Sequence, residues 1–526
     1  MIRVRQIKVP ITKDNKDYLL NKISNKLHIP SLSISKYKIN KLSIDARDKT
    51  NINYVYEVDV EVIDEDKILR KNKSNDILKT PNEEYAFKPS GDVKLSKRPI
   101  IVGSGPCGLF CAYMLALEGY KPLIIERGEK VEDRVKTIEE FFSNNKLNIN
   151  SNIQFGEGGA GTFSDGKLNT LTKDSNNRMK KVFEIFVENG APEEIMYLNK
   201  PHIGTDILRN VIINMRNKII SLGGEFKYNS TVTDLIIEDN KCRGVVINNK
   251  DTISSDIVVL AIGHSARDTF YMLYDKGISM KAKNFAIGLR IEHPRSIIDK
   301  NQYGEMYKYL PPASYKLTYQ TKSGRGVYSF CMCPGGFVVN ASSEEKQIAV
   351  NGMSNYKRDE KNSNSALVVT ISKEDFGSNP LDGIEYQRKL ERKAYELGNG
   401  FIPIQLYKDY KNNIKSTSIG EVIPNIKGKY TLSNLNELLP DYINESIKEA
   451  IPEFNKKIKG FSMDDAVLSG IESRTSSPVV IERNEDLEAI PGLYPSGEGA
   501  GFAGGITTAA MDGLKVFEKI ISKYMI

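Results

Sequence analysis

Residues 99–128 read PIIVGSGPCGLFCAYMLALEGYKPLIIERG. A short apolar strand opens the stretch, a glycine-rich turn follows, and a long apolar helix leads to a second short strand. Two parallel strands joined by a crossover helix need about 30 residues, which is what this stretch supplies. In the turn, Gly103, Gly105 and Gly108 stand at the spacing G-x-G-x-x-G. The first glycine permits a tight turn out of the strand. The second lets the backbone approach a pyrophosphate, and the third lets helix and strand pack closely. Ser104 and Pro106 complete the turn, so that the helix N-terminus directs its N–H groups at an anion. Glu126 ends the second strand 18 residues after Gly108, with Arg127 beside it. An acid at that distance accepts hydrogen bonds from ribose hydroxyls. The stretch predicts a β-α-β dinucleotide-binding unit.

Two later segments extend that reading. Residues 256–263 (DIVVLAIG) place an apolar strand before Ala261 and Gly263. Residues 492–513 (GLYPSGEGAGFAGGITTAAMDG) place another before Gly497-Glu498, then a glycine turn with Gly504 and Gly505, and a small-residue helix from Ile506. Between them, residues 156–166 (GEGGAGTFSDG) carry five glycines in eleven positions. Such a loop can lie flat against a cofactor because no Cβ intrudes, which makes Gly158, Gly159, Gly161 and Thr162 candidate contacts. Val232, in the strand-rich region 225–260, joins them.

The three strand-turn segments resemble the glycine fingerprint, the crossover and the ribityl segment of two-dinucleotide-binding flavoproteins. The stretches SNIQFGEGGAGTFSDGKL (151–168), RGVYSFCMCPGG (325–336), NGMS (351–354), IESRTSSP (471–478) and GEGAGFAGGI (497–506) narrow the match. They resemble the bacterial family of predicted FAD-dependent dehydrogenases, over nearly the whole chain. The resemblance implies noncovalent FAD and a Rossmann-like α/β domain. It also implies that Glu498 stands where an aspartate usually holds the ribityl chain. It supplies no substrate.

Outside the cofactor motifs, the chain divides by pattern. Residues 1–80 predict a small ferredoxin-like α+β module, with strands at 2–9, 36–47 and 52–62 and a helix at 14–27 capped by Asp14. Residues 81–96 read as a polar linker. Residues 97–268 and 460–526 form the two parts of the FAD domain, interrupted by a substrate domain at 269–459. Residues 1–56 hold 12 basic and 4 acidic groups, whereas residues 99–526 hold 53 of each. A basic module can attract a polyanion or present a solvated lysine-rich surface. Hydrophobic content of 40% with no apolar run long enough for a membrane span predicts a folded chain off the membrane. Five scattered cysteines and no secretory signal place it in the cytoplasm. Four histidines without metal-ligand spacing give no metal site.

Candidates for substrate chemistry are Arg290 and His293 in GLRIEHP (288–294), an anion anchor and a proton carrier. The alternative is an ion pair and a domain-junction histidine. Cys331 and Cys333 share a strand face and are read as buried and inert rather than as a redox dithiol. Cys107 is read as packing, and His264 as either a cofactor contact or structural. No second G-x-G-x-x-G followed by an acid appears. Electrons therefore come from a small-molecule substrate, a transient NAD(P)H or a protein donor. The expected function is hydride exchange between FAD and an organic substrate. The rivals are a flavin-dependent RNA-modifying enzyme that holds nucleic acid on the basic module, and a flavin-binding regulatory protein without turnover.

Overall fold

The structure is a computed structural model that describes residues 1–170 and 172–526. Its cofactor domain is built on a five-stranded sheet, in the order Leu493–Pro495, Val258–Leu260, Ile100–Val102, Leu123–Ile125, Glu225–Lys227. All four pairings are parallel. Parallel strands are apolar on both faces and need cover on both. Ile101, Ile124 and Val259 point to one side, against the helices Pro106–Leu117, Thr205–Ser221 and Ile506–Lys523. Their neighbours Ile100, Val102, Leu123, Ile125, Val258 and Leu260 point to the other. There the antiparallel meander Val232–Glu238, Lys241–Ile247, Asp251–Ser254 covers them. The α/β fold read from the 99–128 stretch is therefore the fold observed.

The second domain holds a seven-stranded sheet. Its order is Thr318–Gln320, Gly326–Cys333, Asn362–Ile371, Phe285–Pro294, Val467–Glu472, Ile402–Leu406, Tyr430–Leu432. The strand Val467–Glu472 lies inside this sheet, between Phe285–Pro294 and Ile402–Leu406. The chain thus returns to the cofactor domain after residue 472 rather than at 460. The two crossing segments run side by side as an antiparallel pair, Met280–Ala282 with Val479–Ile481.

The N-terminal domain is a complete ferredoxin-like unit. The helix Glu65–Lys71 and strand Ile77–Lys79 extend the expected elements, giving an antiparallel sheet ordered Ile34–Asp45, Asn53–Val62, Ile2–Pro10, Ile77–Lys79. Leu19, Ile23 and Leu27 of the helix Lys16–Leu27 are buried against it. The helix is capped by Asn15, whose side chain accepts from the Tyr18 N–H. Asp14, the expected cap, instead accepts from the Tyr56 hydroxyl at 2.7 Å. Part of the basic excess is neutralised within the domain, in the pairs Arg3–Asp59, Arg5–Glu57 and Lys8–Asp45.

The polar stretch 81–96, expected as a linker, is strapped to the cofactor domain. Tyr85 donates to Glu518 at 2.9 Å, and the Phe87 ring meets Phe517 edge-on at 5.0 Å. The Ser90 and Gly91 N–H groups donate to the Ile521 carbonyl, and Val93–Lys94 pairs with Tyr524–Met525. Its polar composition hid two aromatic anchors.

One buried network joins the two large domains. Glu391, on the helix Asp382–Leu397, accepts from Arg267 at 2.8 and 2.9 Å and from Arg474 at 2.8 and 3.0 Å. Ser473 adds a bond at 2.6 Å. Burial alone would raise the Glu391 carboxyl; the two guanidinium charges outweigh it and hold the group well below the usual range. Removing Glu391 leaves the buried Arg474 without an acid and Arg267 with Glu344 alone, and breaking such a buried pair costs about 3–5 kcal/mol. We expect Glu391→Ala to lower unfolding stability by about that amount, measured by urea denaturation at neutral pH. The contribution is complete above the ordinary glutamate pKa of about 4.3 and is lost as pH falls through the depressed folded value.

Candidate functional site

A cavity of about 550 Å³ lies between the cofactor domain and the seven-stranded sheet, within the range typical of small-molecule sites. At one end it is walled by the glycine turn of the first strand. Gly103 has φ +99°, and a Cβ there would stand 2.6 Å from the Ala261 carbonyl oxygen, so the turn can sit against the crossover strand only without a side chain. Gly105, Pro106, Ala261 and Gly263 line the cavity directly. Gly108 sits behind, where its Cβ would collide with the Gly103 carbonyl, as close helix–strand packing requires.

Glu126 lines the cavity but does not wait there for a ligand alone. Its carboxylate accepts from the Ser104 N–H at 2.9 Å and hydroxyl at 2.7 Å, from the Gly128 N–H at 2.9 Å and from the Gly156 N–H at 3.0 Å. Four donors occupy about all the lone-pair directions a carboxylate has. The acid expected to hold a ribose thus also clamps the glycine turn to the second glycine loop. Ser104, fully buried, serves this clamp behind the wall. Arg127 lines the cavity, stacked on Phe155 at 4.5 Å and paired with Asp268 at 2.7 Å.

The second glycine loop is gripped from the other side by Arg134. This fully buried guanidinium donates to the carbonyls of Asn152, Ile153, Glu157 and Gly159 at 2.7–3.0 Å. Burial lowers its pKa to about 9, so it remains charged at neutral pH. A Cβ on Gly156 would collide with its side chain, which is why that position is glycine. Gly159 and Gly161 reach the cavity; Gly158 and Thr162 lie behind it, with Thr162 bonded through its carbonyl to Thr205. Arg134 carries no motif, and only its place in the amphipathic helix Val131–Asn144 hinted at burial.

The third segment brings Glu498, Gly504, Gly505 and Ile506 to the cavity, which Val232 also lines. Gly497 is structural: its N–H donates to Asp512 at 2.9 Å, and a Cβ would stand 2.8 Å from Cys107. Gly505 caps the helix Ile506–Lys523, whose first turn leaves N–H groups without partners. A Cβ added at Gly263, Gly504 or Gly505 would meet nothing within 4 Å. These glycines border open space that a large planar ligand can fill. His264 completes this wall: Nδ1 lies 3.4 Å from Glu498 Oε1, while Nε2 is buried with no partner among the described residues. An orphaned buried nitrogen, open glycine edges and two helix N-termini suit an adenine dinucleotide with its pyrophosphate.

At the opposite end, the strand Gly326–Cys333 is bulged. Cys331 takes φ +42° and is exposed, while Cys333 lines the same cavity as a buried residue. The bulge interrupts the alternation, yet both cysteines line the cavity, and Cys331 is exposed where a buried thiol was expected. Withdrawal from water pushes the Cys331 thiol up to about 12 and raises Cys333 as well. Both are thiols at neutral pH.

Arg290 is fully buried below this wall, bonded to Glu472 at 2.9 Å and to the Asn364 side chain at 2.6 Å. It supports Glu472, which lines the cavity, rather than reaching a ligand itself. His293 is fully buried away from the cavity, its Nε2 bonded to the Phe461 carbonyl at 2.7 Å and its ring packed on Phe461. Burial lowers it to about 4, so it is neutral. The strand Phe285–Pro294 is covered on both faces, which hides both expected groups.

Family models match three parts of the chain: a domain of unknown function at residues 1–61, an NAD(P)-binding Rossmann-like domain at 101–154, and the C-terminal-domain-like part of FAD-dependent proteins at 284–475. An uncharacterized protein of Clostridium beijerinckii is 49% identical over 531 aligned residues, covering 99% of each chain. Among solved structures, a flavin-dependent brominase mutant is 13% identical with a TM-score of 0.37, over 81% of this chain and 80% of that one. An Escherichia coli quinol fumarate reductase subunit is 12% identical with a TM-score of 0.36, over 80% and 69%. A geranylgeranyl bacteriochlorophyll reductase-like protein of Thermoplasma acidophilum is 12% identical with a TM-score of 0.34, over 80% and 76%.

Two substitutions separate the cofactor edge from the clamp. Gly505 has extended backbone that any residue adopts, and its Cβ direction is empty. We expect Gly505→Val to leave the melting temperature of the flavin-free protein unchanged while lowering FAD affinity about tenfold or more, as loss of about 1.4 kcal/mol implies. Glu126→Ala should lower the melting temperature even without FAD, since stranding buried N–H donors costs about 1–3 kcal/mol each. Differential scanning fluorimetry with fluorescence titration of FAD reads both.

Proposed function

Because this chain belongs to one family with the Clostridium beijerinckii relative and carries the C-terminal-domain-like part of FAD-dependent proteins, we propose that it is an FAD-dependent oxidoreductase exchanging a hydride with a small organic substrate in the cavity between its domains. FAD is the cofactor. Bound there, it supplies two-electron redox chemistry. The observation that carries the reading is a single cavity with glycine-edged cofactor walls at one end and a polar wall from a second domain at the other.

The chain's own contributions follow from the site. Gly103, Gly105 and Gly159 offer backbone without side chains to a pyrophosphate, and the N-terminus of Pro106–Leu117 offers positive potential. The N-terminus of Ile506–Lys523 does the same at the far edge of the cofactor wall, where it favours negative charge on a bound ring. His264, backed by Glu498, presents Nε2 as a donor or acceptor. Glu472 is the acid at the substrate wall; burial raises its carboxyl, and Arg290 draws it back. The bulge at Cys331–Cys333 shapes that wall without supplying a thiolate.

Two measurements test the reading. The purified protein should be yellow and release one noncovalent FAD per chain on denaturation; a colourless protein indifferent to added FAD would contradict it. Cys331→Ser with Cys333→Ser should leave flavin reduction and reoxidation within about twofold of the parent, since neither thiol ionises near neutral pH. A long-wavelength thiolate–flavin band in the parent, lost in the double variant, would assign the pair a redox role instead.

A further inference from the structure

The far end of the cavity gathers more positive charge than its acids neutralise. Lys167, Lys200, Lys316 and Arg358 line it around one carboxylate, Asp165. Asp165 accepts from Arg358 Nε at 2.9 Å and from Ser354, and lies 3.1 Å from Lys167. The two cations, outweighing burial, hold it well below the usual carboxylate range. Asp165 therefore offsets one positive charge of four. Among the described residues Lys200 bonds only the Ser314 hydroxyl, at 3.0 Å, and neither Lys200 nor Lys316 has an acid within ion-pair distance. Glu472, the next acid along the wall, is already matched by Arg290. On the same cavity lining the Tyr315 hydroxyl is buried with no hydrogen-bond partner among the described residues, on a residue only 8% exposed.

Backbone hydrogen bonds tie this corner down, and some of them come from the N-terminal domain. Lys167 pairs with His202 across a short antiparallel bridge, with bonds from Leu168 to Pro201 at 2.9 Å and from Ile203 to Gly166 at 3.0 Å. The same segment is held on its other side by Leu42, on the edge strand Ile34–Asp45. The Leu42 N–H donates to Tyr197 at 2.7 Å, and the Asn199 N–H donates to Leu42 at 2.9 Å. A backbone ladder thus runs from the N-terminal sheet through residues 197–203 to the glycine loop, and two of the lysines sit on it.

We propose that this corner is the binding site for a carboxylate group of the substrate, which makes the substrate a small organic acid, and that the N-terminal domain positions it by bracing residues 197–203. Lys200 and Lys316 supply the charge, Tyr315 supplies a hydroxyl donor, and Arg358 and Lys167, held by Asp165 on the same lining, add to the positive field. Anchoring an acid at the second-domain wall leaves the remainder of the molecule between that wall and the glycine-edged end, at the place where hydride exchange is proposed. The inference rests on the oxidoreductase reading of the same cavity.

The test uses the full-length, FAD-loaded protein and three probes: glutarate, its neutral analogue glutaramide, and inorganic phosphate. Binding is read from the flavin difference spectrum and from the melting temperature. Glutarate should bind and glutaramide should not. Lys200→Gln, an exposed position, should weaken glutarate about tenfold or more, the usual worth of a charge-assisted bond. Lys519→Gln, on a remote surface pair, should change nothing. Leu42→Pro, which removes the outer N–H of the ladder, should weaken glutarate while FAD content stays at the parent's level. Equal binding of glutaramide, binding of phosphate alone, no binding of any probe, or parental affinity in Lys200→Gln would each overturn the proposal. Failure of every donor to reduce the flavin would count against the oxidoreductase reading instead, because the anion titration needs no turnover.

Discussion

The cofactor wall depends on how two charged side chains satisfy backbone that cannot pair with itself. Glycine-rich loops have no ladder, yet buried N–H and C=O groups must find partners. Glu126 collects N–H groups from Ser104, Gly128 and Gly156. Arg134 collects carbonyls from Asn152, Ile153, Glu157 and Gly159. One acid and one base, both buried, fix two loops into a single surface. Rigid loops are what a cofactor site needs, since each loop ordered beforehand is entropy that binding does not have to supply.

The second constraint is the junction between domains. The chain crosses it twice, and the crossings pair as strands Met280–Ala282 and Val479–Ile481. Close by, Glu391 binds Arg267 of one domain and Arg474 beside the other's sheet. Arg474 also lines the cavity, so the network that holds the domains together shapes the space between them. The strap at residues 83–97 and the ladder through Leu42 add a third attachment, by which the N-terminal domain braces the cavity wall rather than hanging from it.

Sequence patterns disclosed the parts that repeat known geometry. The G-x-G-x-x-G turn, the strand before Gly263 and the turn before Ile506 all line the cavity because spacing dictates where their backbones go. Side chains that act through tertiary contact left no such trace. Arg134 and Glu391 are ordinary charged residues on amphipathic helices until folding buries them. Arg290 and His293 misled for the converse reason: their residue types suggested substrate chemistry, and both faces of a central strand in a seven-stranded sheet are covered. Cys331 is exposed rather than buried because the strand bulges there, which no local pattern announces. Lys200 and Tyr315 come together only through contacts between segments far apart in the chain.

The central claim is that one cavity holds FAD at its glycine-edged end and faces it with the bulged wall of the second domain. A crystal structure of the FAD-loaded protein tests this most directly. The account expects the pyrophosphate against Gly103–Pro106 and the flavin ring between Gly504–Ile506 and the Cys331–Cys333 bulge, with His264 Nε2 in contact with the cofactor. A flavin ring bound outside this cavity, or turned away from the second-domain wall, would contradict it.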